Sequence, residues 1–142
     1  MNPPVLAVGL THNETLIVEQ RHTVPQVATD WPGFADMPPV FATAMMIGFI
    51  EQTCIEGLRP VLTPEQRTVG TQVDVSHIAA TPVGMKVTAA VELIAIDGKS
   101  LLFRVECRDE AGVIGAGTHR RAIIDLQRFV QRLGEKSAAV AG

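Results

Sequence analysis

From Phe41 to Ile50 the chain runs without a charge, through Ala42, Thr43, Ala44, Met45, Met46, Ile47, Gly48 and Phe49. Pro38 and Pro39 precede this run, and Gly57 and Pro60 stop it. The pattern predicts a helix over about 41–57, roughly 25 Å long at 1.5 Å per residue. A surface helix carries one apolar stripe, whereas this one is apolar nearly all round until Glu51, Gln52, Thr53 and Glu56. It is too short to span a bilayer, so the rest of the chain must cover it.

Most of the remaining sequence reads as strand. Thr15 to Glu19, with Leu16, Ile17 and Val18, predicts an opening strand. After the helix, Val69 to Ile78 alternates in part and puts Val73, Val75 and His77 on one face. Thr81-Pro82-Val83-Gly84 reads as a turn. Val87 to Ile96 then alternates, with Val87, Ala89, Val91, Leu93 and Ala95 on one side. Asp97-Gly98 turns the chain into Leu101 to Glu110. Glu110-Ala111-Gly112 turns it again into Val113 to Asp125, where Gly115 and Gly117 suggest a bulge or a close backbone approach. Gly48 costs about 1 kcal/mol in a helix, and the close approach of a strand would explain it. Leu126 to Leu133 predicts a short closing helix, and 134–142 a frayed tail. The fold class is α+β, one domain over 1–142, with a curved antiparallel sheet around one helix. A single layer of sheet leaves apolar surface on one side, for which a dimer is the simple remedy.

Residues 20–39 hold Pro25, Pro32, Pro38 and Pro39 and the only tryptophan, Trp31. They predict a long ordered loop. Phe34, Met37 and Phe41 suit a lid over an apolar slot; a surface loop pinned by Trp31 fits equally well.

Charge and cysteine content narrow the function. Twelve Lys and Arg against fifteen Asp and Glu give a net charge of -3, which argues against nonspecific nucleic-acid binding. Cys54 and Cys107 make no disulfide framework and are expected as buried, reduced thiols. Met1-Asn2-Pro3-Pro4 lacks a signal-peptide pattern, so the expected setting is the cytosol, with no membrane segment. His12, His22, His77 and His119 show no metal-ligand spacing, and no metal is expected.

Several residues have two readings each. Glu51 is either where the helix meets solvent or a carboxylate kept for chemistry. His77 is a satisfied semi-buried histidine or an acid–base group, and Thr43 an N-cap or an active hydroxyl. Gly70 is a turn glycine or an amide donor to a developing oxyanion. His119, Arg120 and Arg121 are a solvated strand face or donors to phosphate.

The order of strand, long loop, helix and four antiparallel strands is similar to the hot-dog fold of acyl-CoA thioesterases and dehydratases. The similarity sharpens at Val40-Phe41-Ala42-Thr43, at Glu51 eight residues later, and at Gly70-Thr71 followed by His77. It continues through Thr81-Pro82-Val83-Gly84 and Gly115-Ala116-Gly117-Thr118-His119. Together these resemble the fluoroacetyl-CoA thioesterase group over roughly residues 8–132.

That resemblance implies hydrolysis of a short acyl-CoA by Thr43, Glu51 and His77, with the Gly70 amide on the thioester carbonyl. It also implies a homodimer, or a tetramer built from dimers, with active sites at the subunit interface. Coenzyme A would be part of the substrate, and no separate cofactor is implied. Phe34, Met37 and Phe41 would border the acyl group, and His119, Arg120 and Arg121 the phosphates. Met37 stands where the fluoroacetyl-specific member has a lid phenylalanine, so the resemblance speaks for thioester hydrolysis more than for fluoroacetyl selectivity. A dehydratase or hydratase, or a noncatalytic CoA-ester binder, are the alternatives.

Overall fold

The structure is a computed structural model and describes residues 4–141. β1 (Thr11–Ile17) leads through a short 3-10 turn (Gln20–His22) into two single-turn helices, α1 (Val24–Val27) and α2 (Pro32–Ala35). The long helix α3 (Thr43–Leu58) follows, then a 3-10 turn (Arg59–Val61). Four strands come next: β2 (Gln66–Val75), β3 (Lys86–Asp97), β4 (Ser100–Asp109) and β5 (Gly112–Asp125). Helix α4 (Leu126–Ala141) closes the chain. All strand pairings are antiparallel, in the order β1-β3-β4-β5-β2, so β1 and β2 are the edges.

The expected alternation forms the core. Val87, Ala89, Val91 and Leu93 of β3 and Leu101, Phe103, Val105 and Cys107 of β4 are buried together. Met46, Ile50, Cys54 and Leu58 of α3 pack on them, at the i, i+4 spacing of one helical face. The Thr53 hydroxyl, also buried, donates to the Phe49 carbonyl one turn back at 2.7 Å, so it is not stranded. Burial pushes both thiols, Cys54 and Cys107, up to about 12, and the two are unbridged. No helix among the described residues is long and apolar enough to cross a membrane.

Several local expectations need correction. The loop at 20–39 contains α1 and α2, because each begins with a proline in its first turn, where the missing N–H costs nothing. Helix α3 starts at Thr43 rather than 41, since Val40 and Phe41 are drawn into bridges with Pro82 and Thr23. Gly48 is not pressed by a strand: a Cβ there would meet nothing within 4 Å. It lies with exposed Ala44 and Gln52 on a side of α3 that the chain leaves bare. The close approach occurs instead at Gly115 and Gly117, where a Cβ would collide with the Ser76 and Asp74 carbonyls.

The alternation on β3 also breaks. A register shift after Leu93 leaves Ala95 exposed. On the edge strand β2, Val73 stays 45% exposed and the strand ends before His77. Finally, the tail does not fray at 134. Leu126–Ala141 is one helix, exposed for most of its length, because Glu135 to Ala141 are mostly strong helix formers and Gly134 is tolerated. Gly142 lies outside the described residues.

Candidate active site

Two groups of polar residues form along α3, about 12 Å apart on its axis, since Thr43 and Glu51 differ by eight positions. The first sits at the helix start. Ala42 occupies the N-cap position with extended backbone, so Thr43 is the first helical residue and does not cap. Its hydroxyl is instead 2.7 Å from Nδ1 of His77, which lies just past the end of β2. Nε2 of His77 is the one buried side-chain polar atom among the described residues without a hydrogen-bond partner. Burial lowers the His77 pKa, so the ring favours its neutral form at physiological pH. Thr43, His77, Phe41, Val24, Val40 and Ala79 border a cleft of about 250 Å³.

The second group surrounds Glu51, whose side chain is 38% exposed. Arg121 of β5 is only 3% exposed and donates from Nη1 to Glu51 Oε1 at 2.8 Å. The rest of the guanidinium is also engaged: Nε donates to Thr68 Oγ1 at 2.8 Å and Nη2 to the Thr68 carbonyl at 2.9 Å. His119, 1% exposed, lies 3.1 Å from Arg121 Nη1 through its Nε2 and 2.8 Å from the Gln72 carbonyl through its Nδ1. Burial lowers the pKa of His119.

Gly70 is placed against this cluster by the pairing of β2 with β5, opposite Arg121. A Cβ there would meet Glu51 Oε1 at 2.6 Å and His119 Cε1 at 3.2 Å. The register shifts between Gly70 and Gln72, next to the point where the carboxylate reaches the sheet. Only a residue without a side chain leaves the carboxylate room.

The structure therefore joins Thr43 with His77, and Glu51 with Gly70, but does not bring the two pairs together within one chain. It also changes the part that His119 and Arg121 can play. Both were candidates for phosphate binding, yet both are buried and committed to Glu51, Thr68 and Gln72, beyond reach of a solvated phosphate. The signal that could have found them is parity: positions 119 and 121 share one face of β5, whereas Arg120 points the other way. Arg120 is half-buried on that other face, with only long contacts to Gln72 and Ser100 at 3.4 and 3.5 Å.

In the lid, Phe41 is 1% exposed and belongs to the core while also bordering the cleft. Phe34 stacks edge-on with Trp31 at 5.1 Å, and Trp31 and Met37 are 54% and 46% exposed. Thr68, which sequence reasoning passed over, anchors Arg121 through two atoms.

This arrangement can be compared with known proteins. The family described as fluoroacetyl-CoA-specific thioesterase matches residues 18–127. The fluoroacetyl-CoA thioesterase of Streptantibioticus cattleyicolor is 37% identical over 134 residues, covering 94% of this chain and 96% of that protein. A solved structure of the fluoroacetyl-CoA thioesterase FlK superposes with a TM-score of 0.91 at 37% identity, over 94% of this chain and 98% of that one. A hypothetical protein of Thermus thermophilus described as a thioesterase superfamily member, 24% identical, has a TM-score of 0.81 over 96% of this chain and 98% of that one, a likeness of fold. With its curved five-stranded sheet and long helix, the chain is a hot-dog thioester hydrolase and belongs to the fluoroacetyl-CoA-specific thioesterase family.

Proposed function

We propose that this protein hydrolyses short acyl-CoA thioesters with Glu51 as the central group, supported by the Gly70 amide, Thr43 and His77. The observation that carries the reading is the state of the Glu51 carboxylate. It is half-buried and fixed through Oε1 by a buried arginine, while among the described residues Oε2 has no hydrogen-bond partner. A carboxylate so held can take a proton from water or attack the thioester carbonyl itself. In either route an oxygen adds to the acyl carbon, the C–S bond breaks, and coenzyme A leaves as a thiolate that takes up a proton. Water ends up in the free acid. The Gly70 amide suits the oxyanion that develops on the carbonyl. His77, neutral and open at Nε2, suits proton transfer near the leaving sulfur, with Thr43 fixing its ring through Nδ1. Coenzyme A enters only as substrate, and the reaction as written uses no resident cofactor.

The working form is a homodimer. Among the described residues β2 pairs with β5 alone, and its Gly70 to Asp74 segment is exposed along the free edge. Ala44, Gly48 and Gln52 likewise leave one side of α3 bare. A second copy placed there would cover both and bring the Thr43–His77 pair of one chain toward Glu51 and Gly70 of the other. The buried, unbridged thiols suit a reducing cytosol.

Release of coenzyme A thiol from a series of acyl-CoAs, acetyl through short branched and aromatic chains, tests the activity. Glu51→Gln is expected to lower kcat on the best substrate by at least about 100-fold while the fold is kept, the usual scale for loss of a general base. Wild-type turnover by that variant would place the chemistry elsewhere.

A further inference from the structure

We infer that His119 is a positioning residue for Glu51, acting through Arg121; the inference rests on the reading of Glu51 given above. The ring's hydrogen bonds dictate its protonation. The Gln72 carbonyl can only accept, so Nδ1 must carry the hydrogen. The guanidinium can only donate, so Nε2 must offer its lone pair to Arg121 Nη1. His119 is therefore a neutral Nδ1–H imidazole, the form that its burial also favours.

The consequence lies in how Arg121 meets Glu51. Nη1 has two hydrogens. One goes to Glu51 Oε1 at 2.8 Å and the other to His119 Nε2 at 3.1 Å. Nε and Nη2 are held by Thr68. Four of the five guanidinium hydrogens are thus directed, and the plane of the group is fixed. With its Nε and Nη2 on Thr68, Arg121 meets Glu51 through one nitrogen and one carboxylate oxygen, not the two-point grip that arginine prefers on a carboxylate. A two-point grip would occupy Oε2 and weaken both oxygens as base or nucleophile. His119 itself stays 3.9 Å from Oε1, outside hydrogen-bond range, so its effect on the reacting oxygen runs through the arginine. An acceptor at Nε2 takes the second Nη1 hydrogen and so holds Nη1 in the orientation that meets Oε1 alone, with Oε2 left free to react.

The two halves of the ring can be separated by substitution. A glutamine amide reaches the place of Nε2 and can accept from Arg121, whereas an asparagine amide reaches the place of Nδ1 and can bond only Gln72. His119→Asn is expected to lower kcat by about 100-fold, the cost of a small misplacement at a reacting centre, with KM nearly unchanged. His119→Gln is expected to recover at least about tenfold of that loss. Asparagine matching or exceeding glutamine would overturn the inference, because His119 would then serve only to pin β5 to the Gln72 carbonyl. So would either variant losing affinity while keeping kcat.

If neither variant folds, Thr68→Val removes the other side-chain acceptor of Arg121 from a half-buried position and serves the same test. A fall in kcat at constant KM supports the inference, and unchanged kcat overturns it. Absence of thioester hydrolysis in the wild-type protein would instead remove the reading of Glu51 on which the inference stands.

Discussion

Gly70 shows how one missing side chain can set the geometry of a site. It faces Glu51 so closely that a Cβ would sit 2.6 Å from Oε1, too near for any real contact. The nearest other atoms, His119 Cε1 and Arg121 Nη1, belong to buried groups that are already hydrogen-bonded. The carboxylate would have to yield, because it is the only one of the three with an exposed end. Gly70→Ala is therefore expected to displace Glu51 from Arg121 and lower kcat by about 100-fold, while thermal stability changes little. Parallel measurement of kcat and of the melting temperature checks this. A large loss of stability with normal kcat would mean that the sheet, and not the carboxylate, gives way.

At the scale of elements, the segment from Gln20 to Pro39 is the part expected to select among acyl groups. Its two single-turn helices are held by short-range backbone bonds, such as Ala35 to Trp31 and Met37 to Phe34, and few of its side chains reach the core. Within it His22 and Thr23 are buried, and Phe41, two residues beyond, is buried and packed edge-on against His22 at 6.5 Å. The rim of the lid is thus the Trp31–Phe34 pair and Met37, all partly exposed. A methionine there offers more rotatable bonds and no ring face, and so adapts to varied acyl shapes. Discrimination of fluorine from hydrogen demands a rigid, dry wall. The protein is expected to show poor preference for fluoroacetyl-CoA over acetyl-CoA, and Met37→Phe to increase that preference. Side-by-side kcat/KM values decide it. A wild-type preference above about 10⁴-fold, or ~5.5 kcal/mol in differential transition-state stabilisation, would refute the loose-lid argument.

For the whole molecule, the central question is how the two halves of the site meet. Within one chain Thr43 and Glu51 stand two turns apart on α3, so the halves stay separate. The proposed pairing of two copies across the free edge of β2 is expected to join them. A dimer that dissociates only at low concentration is expected, and sedimentation at twice the 15.2 kDa chain mass checks it. The sharper measurement mixes two inactive variants, Glu51→Gln and Thr43→Val. Subunit exchange is expected to restore up to about one quarter of wild-type activity, as statistical pairing leaves half of the molecules mixed, with one intact composite site of two. No recovery on exchange would mean that each chain carries a site of its own.

Much of this could be read from residue order alone. An uncharged run between prolines and a glycine can only be a covered helix, and alternation with Asp97-Gly98 at a turn can only be a hairpin. Both follow from local rules of period and backbone freedom, and the long helix, the β3–β4 hairpin and the buried thiols appear as the sequence implied, while β1 forms over Thr11–Ile17 rather than from Thr15 to Glu19. The pairing of Thr43 with His77 lay beyond those rules, because a hydroxyl at a helix start looks the same whether it caps the helix or turns away from it. The same holds for Gly48 and Gly115. Both are glycines in regular elements, and only the packing shows that one meets open space and the other a neighbouring backbone.

His119 and Arg121 mark the limit most clearly. In sequence they are two basic residues beside a third, indistinguishable from a solvated basic face. Their fate was set by the register of β5 against β2, which turns 119 and 121 inward toward Glu51, some seventy positions earlier, and 120 away. Register is a property of strands already paired, so the sequence determined that a carboxylate, two histidines and an arginine were available, and the tertiary structure decided which of them share a proton network.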